Sequence, residues 1–396
     1  ARESHVGEGY LTLLACLPST MGDRLGPFIP RVLPSILGGL ADEKEPVREV
    51  ALRAGHGLVD HYAETAMPLV LPAIEQGLFD DAWRIRSSSV HLLGDVLSKI
   101  TGRNWKLYGS GNATLDDLDE GTGDRSGEAK IGEVLGQERR DRLLAAVYML
   151  RSDVNPTVCV ASFQVWKSVV QSQSRTLRAI LPTLMATLVS CLASPSEEKQ
   201  AVAGRAMGEM VAKIGERVLP EVIPILREGL TSDDPLRRAG VCLGLSEVMA
   251  SCSRPQVHGY LAELVSTVIE AICDGAEGVR VAAAQAFDAL HRHLGQKAVE
   301  EVVPALIAGL ERPGEEGQHA LNGLHQLLAT RGKVVLPFLV PKLIAPPMTA
   351  PNGRALAVLA EVAGEALCPR IPTVLSALVD GMCTGGSAED RERIAT

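Results

Sequence analysis

Leu71-Pro72-Ala73-Ile74-Glu75-Gln76-Gly77-Leu78-Phe79-Asp80-Asp81-Ala82-Trp83-Arg84-Ile85-Arg86, running on into Ser87-Ser88-Ser89-Val90-His91-Leu92-Leu93-Gly94-Asp95-Val96-Leu97, holds one whole structural unit of this chain. It opens with an aliphatic residue beside proline, which suits the first turn of a helix because the missing N–H costs no hydrogen bond there. An acid, Asp80, then stands six residues before Arg86. Beyond them Val90, Leu93 and Leu97 recur at spacings of three and four, which puts one apolar stripe on a helix. The stretch reads as two short helices joined by an acidic turn.

The same order recurs along the chain. Aliphatic–proline pairs stand at Leu33-Pro34, Leu71-Pro72, Leu181-Pro182, Ile223-Pro224, Val303-Pro304, Val340-Pro341 and Ile371-Pro372, at successive intervals of 38, 110, 42, 80, 37 and 31 residues. The interval of 80 is two units of forty, with Leu264-Val265 where a proline is absent. The interval of 110 is two units plus an insertion of about thirty residues. Pro30, Pro68, Pro220 and Pro337 lie one turn earlier, and two prolines a turn apart predict a first helix that is short or kinked.

The acid–arginine step returns as Asp42 and Arg48, and as Asp274 and Arg280. Arg237 follows Asp233 and Asp234 more closely, and Cys159 stands in the arginine's place after Asp153. Second helices are expected over 46–61, 82–101, 154–171, 196–214, 234–251, 277–294, 314–330 and 352–365. Gly102, Gly215 and Gly295 suit their C-caps. A strand alternation is missing throughout. A single pair cannot bury both its faces, so neighbours must stack. The expected fold is an all-α solenoid of about nine antiparallel helix pairs.

Composition agrees. Of 396 residues, 46% are apolar but only 3% aromatic, so Ala, Leu and Val must fill thin seams between helices. A charged fraction of 22% excludes a coiled coil or a wholly disordered chain. The net charge of −9 argues against a general nucleic-acid binder held by phosphate neutralisation. No run approaches the roughly 18 apolar residues that span a bilayer, so no membrane association is expected. The start at Ala1, without a basic-then-apolar leader, reads as an excerpt of a longer chain. The eight cysteines form no CxxC pair and sit among apolar neighbours, as small core residues do in a reducing cytosol.

Residues 102–130 break the rhythm with six glycines (Gly102, Gly109, Gly111, Gly121, Gly123 and Gly127). Within them, 115–128 holds six acids and one arginine, a local charge of −5. The expectation is a flexible acidic insertion between repeats 1–101 and repeats 131–396, which continue the same stack.

The proline-marked first helix, the acid–arginine turn and the apolar second helix together resemble HEAT repeats. A sharper resemblance lies in the run Leu78 to Asp95. It continues in Arg139-Arg140-Asp141-Arg142, Val165-Trp166-Lys167, Thr176-Leu177-Arg178, Gly240-Val241-Cys242-Leu243-Gly244-Leu245-Ser246-Glu247 and Val335-Leu336-Pro337. These runs resemble the general-control translational activator family of giant HEAT proteins, part of whose array is similar to fungal elongation factor three. The resemblance implies a non-catalytic, cytosolic scaffold that sits on stalled ribosomes. There the family promotes activation of the initiation factor two alpha kinase during amino-acid starvation. Its implied partners are the ribosome, through protein and RNA contacts, the kinase, through parts of the parent outside this chain, and other proteins. A generic HEAT adaptor of the nuclear-transport, phosphatase-scaffold or tubulin-binding kind fits the repeats but not the run Leu78 to Asp95.

Two sets of residues are candidates for a role. Arg48, Arg86, Arg237 and Arg280 recur once per repeat and could form a basic stripe. Because Asp42, Asp80 and Asp274 recur in step with them, an internal ladder is the favoured reading. Arg139, Arg140 and Arg142, with Arg151 one helix later, are the best candidates for contact with ribosomal RNA phosphates or an acidic protein surface. The ordinary alternative is a solvated helix face, partly neutralised by Glu138 and Asp141. Lys167, Arg175 and Arg178 form a weaker cluster.

Chemistry finds little support. His291 and His293 lie two apart, and His56 and His61 five apart, so neither pair shares a helix face for a metal. The run Gly121 to Gly127 lacks the strand and the Lys-Ser/Thr pair of a phosphate loop. Asn112-Ala113-Thr114 is a formal sequon that a cytosolic chain would not use. No catalytic triad is evident, and no cofactor, metal or small-molecule substrate is expected.

Overall fold

The computed structural model describes residues 2–40, 42–106, 126–215, 218–346 and 349–384, and every regular element among them is helical. Ala1–Cys191 with Pro195–Ile214 form one compact unit, and Leu192–Ser194 with Gly215–Thr396 form a second.

In the first unit the helices are α1 (Arg2–Met21), α2 (Ile29–Leu40), α3 (Glu45–His61), α4 (Ala63–Gly77), α5 (Trp83–Thr101), α6 (Ser126–Leu135), α7 (Gln137–Leu150), α8 (Pro156–Val169), α9 (Gln173–Leu192) and α10 (Glu197–Ile214). Their order is that of helix pairs: α2/α3, α4/α5 and α7/α8 pack together, and α9/α10 follow in sequence with α10 against α7. Second helices pack on second helices, α1 on α3, α3 on α5 and α5 on α8, while α2 packs on α4. Proline-bearing α2 and α4 have 12 and 15 residues, against 17 and 19 for their partners α3 and α5.

The seams are narrow. A Cβ on Gly55 would fall 2.8 Å from Leu92 Cδ2, so α3 and α5 approach closely there and a larger residue would push the Leu92 side chain aside. Gly102 closes α5 with φ 74°, and its N–H donates to Ser98 O. Buried Leu, Val, Ile and Ala fill the interior, with Trp105, Trp166, Tyr148 and Tyr62 among the large rings. α9 is long and apolar enough by length and composition to cross a membrane, but 56% of that window is buried inside the fold, as in a core helix.

The second unit holds α11 (Val218–Leu230), α12 (Pro235–Ser251), α13 (Arg254–Gly259), α14 (Leu261–Ile272), α15 (Glu277–Leu294), α16 (Gln296–Leu310), α17 (Glu315–Leu343), α18 (Ala350–Ala363) and α19 (Ile371–Thr384). The pairs here are α11/α12 and α14/α15, then α16 with the first half of α17, and the second half of α17 with α18. Arg331, at φ −136° and ψ 34°, breaks α17 between those halves. Tyr62 and Tyr260 make the same one-residue joint, at φ −127° and −114°. Each residue turns the chain from one pair into the next.

The insertion is shorter than expected. Residues 126–130 belong to α6, whose Ile131 is buried and whose body packs on α5 and α7. Trp105 is not a loop residue either. It is buried on α5 over Gly94, where a Cβ would come within 2.6 Å of the ring, and its Nε1–H donates to Asp95 at 3.0 Å. The sequon, the Gly121 to Gly127 run and most of the acidic stretch lie outside the described residues.

Candidate functional site

The turn between the two helices of a pair is built the same way four times. The Asp carboxylate accepts the N–H two residues on, Asp42 from Lys44, Asp80 from Ala82, Asp153 from Asn155 and Asp274 from Ala276, each at 2.8 Å. Six residues after the turn begins, an arginine reaches back to two of its carbonyls. Arg48 Nη1 donates to Asp42 O and Glu43 O, and Arg86 Nη1 to Asp80 O and Asp81 O. Arg280 Nη1 donates to Asp274 O and Gly275 O. The arginine thus holds its own turn through backbone carbonyls, not through its own aspartate's side chain.

The carboxylate serves the preceding repeat instead. Arg86 Nε and Nη2 donate to both oxygens of Asp153 at 2.8 and 3.1 Å. Arg238 Nε and Nη2 do the same to Asp274 at 2.8 and 2.9 Å. Such a bidentate fork fixes orientation as well as distance. Burial works against the Arg86 charge, but Asp153 and Glu198 outweigh it and hold the guanidinium protonated. Burial likewise opposes the Asp274 charge. Arg238, the Ala276 N–H and Arg280 overcome it and keep that carboxyl below the usual carboxylate range.

Arg237 is therefore the wrong residue. It is exposed, and its neighbour Arg238 carries the rung, donating through Nη1 to Ser232 O and Asp233 O. The cause is a change of residue at the turn's first position. Ser232 stands where other repeats have Asp, its hydroxyl accepting the Asp234 N–H, while Asp234 caps α12 by accepting from Leu236 N. Counting six from Ser232 would have found Arg238.

Elsewhere the ladder stops. Cys159, six after Asp153, donates its thiol to Arg151 O. After α16, Arg312 takes the turn's first position, its N–H donating to Gly309 O as Asp80 N–H donates to Gly77 O. Arg280 Nε, which faces that repeat's missing acid, is buried without a hydrogen-bond partner.

Two of the four candidate contact arginines are withdrawn from the surface. Arg140 and Arg151 are only 9% and 6% exposed. Arg140 is folded onto Asp141 at 2.7 Å. Arg151 lies over the rings of Tyr148, Phe163 and Trp166 at 5.0 to 5.5 Å, a cation–π stack within the fold. Half-buried Arg139 pairs with Glu75 of α4 at 2.7 Å. Arg142 stays exposed, 3.9 Å from Glu138. In the weaker cluster Arg175 and Arg178 are exposed and Lys167 is half-buried.

The remaining candidates are structural. His56 contacts Asp95, His61 Nδ1 lies 3.0 Å from Gly57 O, and His291 stacks on Phe287. Among the described residues no cluster of His, Cys, Asp or Glu could hold a metal. Burial pushes the thiols of Cys191 and Cys252 up to about 11 and that of Cys242 up to about 12, so they behave as small apolar residues.

Proline-marked first helices, amphipathic second helices and turns tied by an arginine six residues on define a HEAT-repeat protein. The chain belongs to the family described as "Stalled ribosome sensor GCN1-like, HEAT repeats", whose model matches residues 166–327 and 335–396. It is similar to the human "Stalled ribosome sensor GCN1", 47% identical over 375 residues, covering 95% of this chain and 14% of that protein. It is also similar to the "eIF-2-alpha kinase activator GCN1" of Saccharomyces cerevisiae, 37% identical over 391 residues, covering 98% and 14%. The chain thus spans about a seventh of the length of these relatives. Among solved structures, yeast importin-beta (Kap95p) is similar at 15% identity and a TM-score of 0.35, covering 98% of this chain and 49% of that one.

Proposed function

We propose that this chain is a non-catalytic segment of a cytosolic scaffold that associates with ribosomes and promotes activation of the initiation factor two alpha kinase when ribosomes stall. The observation that carries the reading is identity of 37–47% to proteins named for those two activities, running over nearly the whole chain. A generic adaptor role explains the helix pairs but not that identity. The kinase contact is assigned to parts of the parent protein outside this chain.

The chain's own contribution is charge carried on the surfaces of its helix pairs. Arg142 is the residue of the α7 cluster with the most exposed charge, and Arg139 flanks it. Arg175 and Arg178 offer a second place for phosphate or acidic protein. Opposite charges screened by salt make such contacts salt-sensitive.

The test is sedimentation of the full-length protein with ribosomes over a range of salt. Association that weakens as salt rises, and that falls further with Arg142→Glu while the thermal unfolding curve stays in place, is the expected result. Sedimentation indifferent to both salt and Arg142→Glu would remove this surface from the account.

A further inference from the structure

In a HEAT stack each repeat ordinarily touches only its neighbours. The first unit departs from this rule at one point. Arg86, on α5, binds the Asp153 carboxylate of the next pair and also the Glu198 carboxylate at the start of α10, two pairs away. Beside it Lys199 Nζ lies 3.0 Å from Asp81, again passing over the α7/α8 pair. Leu78, Phe79, Met149, Leu150 and Val202 close around these charges and leave a void of about 10 Å³, room for at most one water. Three turns from three successive pairs therefore meet at one guanidinium.

The middle repeat makes this possible. An arginine at its rung position would hold the 153–154 turn and point its remaining donors at the α9/α10 turn, as Arg86 and Arg238 do toward their own next turns. Cys159 stands there instead, and its short side chain ends on Arg151 O. Glu198 is left for Arg86.

The two sides of the cluster differ in their exposure to water. The Asp153 side chain is 0% exposed, whereas Glu198 is 43%, Lys199 25% and Asp81 75% exposed. Salt and solvent screen the outer contacts and leave the inner one nearly untouched.

We propose that Arg86 is the centre of a clasp that holds the α4/α5, α7/α8 and α9/α10 pairs as one rigid segment. Its inner half, Arg86–Asp153, stays closed, and its outer half, Glu198 with Lys199–Asp81, opens and closes with ionic conditions. Opening uncouples the α9/α10 turn from the α4/α5 turn without breaking any helix. A charged partner competing for Glu198 or Lys199 would act on the same half, so the flexibility of this segment becomes adjustable from outside.

The experiment is hydrogen exchange read by mass spectrometry on the full chain, comparing the parent sequence with a Glu198→Gln, Lys199→Gln double variant and with Asp81→Asn. All three substituted positions are at least partly exposed, so the fold is retained, and an unchanged melting temperature confirms it. Exchange at 78–82 and 195–200 should rise together about two- to fivefold in the double variant, with 150–155 unchanged. Raising NaCl from about 0.05 M to about 0.5 M should produce the same joint rise in the parent chain. Asp81→Asn should give a smaller rise in both segments. A rise confined to 195–200, or none in either segment, would overturn the clasp.

Discussion

The Arg86 rung of the first unit and the Arg238 rung of the second share one design and differ in depth. Both arginines clamp their own turn through two backbone carbonyls and fork onto the next turn's aspartate. Arg86 and Asp153 have side chains 5% and 0% exposed, while Arg238 and Asp274 are 16% and 14% exposed. The first rung also gathers Glu198 from a third pair, whereas among the described residues the second joins two pairs. One sequence step thus yields two strengths of coupling, set by how much water the surrounding turns exclude.

The largest effect should come from Arg86→Ala. It leaves Asp153 buried with no counter-charge, and breaking a buried pair from one side costs about 3–5 kcal/mol. Chemical denaturation followed by a probe in the first unit should show that loss, and a shift below about 1 kcal/mol would mean that water reaches the site. Arg238→Ala should cost less, about 1–3 kcal/mol, because its partner Asp274 keeps some solvent and the nearby Arg280 charge. If Arg238→Ala proved the more damaging, burial would not be the variable that separates the two rungs.

Acid provides a second way to compare them. Asp274 titrates below its unfolded value, so its rung contributes fully above about pH 4 and is lost as the pH falls through the native pKa. The stability gap between the parent chain and Arg238→Ala should therefore narrow as the pH drops from about 5 toward 2. A gap that stayed constant over that range would show that the Asp274 charge plays no part. The smallest effect, and one of opposite sign, should follow Arg312→Asp. That change supplies the acid which Arg280 lacks and should raise stability by about 0.5–1.5 kcal/mol. Loss of stability instead would mean that the α16 turn does not present its first residue to Arg280.

These rungs also mark how far the sequence can be read. Second helices expected at 46–61, 82–101, 196–214 and 277–294 form at Glu45–His61, Trp83–Thr101, Glu197–Ile214 and Glu277–Leu294, since apolar spacing, proline and glycine act locally. The rung falls on Arg238 and not on Arg237 because Ser232 takes the aspartate's place at the start of its turn, a local signal that is present but chemically altered. Arg151 is beyond local reading. Its burial depends on the rings of Phe163 and Trp166, brought over it only when α8 folds back on α7, whereas Arg140 folds onto the adjacent Asp141. The helix at 126–135 was legible in Ile131, Val134 and Leu135, spaced by three and four, but the glycines before it obscured that pattern.

The central claim is that charge pairs between successive turns couple the repeats. A double-mutant cycle on Arg86 and Asp153, using Arg86→Ala, Asp153→Ala and both together, tests it most directly. The account predicts a coupling energy of about 2–3 kcal/mol, with the double variant far more stable than the two single losses would add up to. Additive losses, with coupling within about 0.5 kcal/mol of zero, would contradict it.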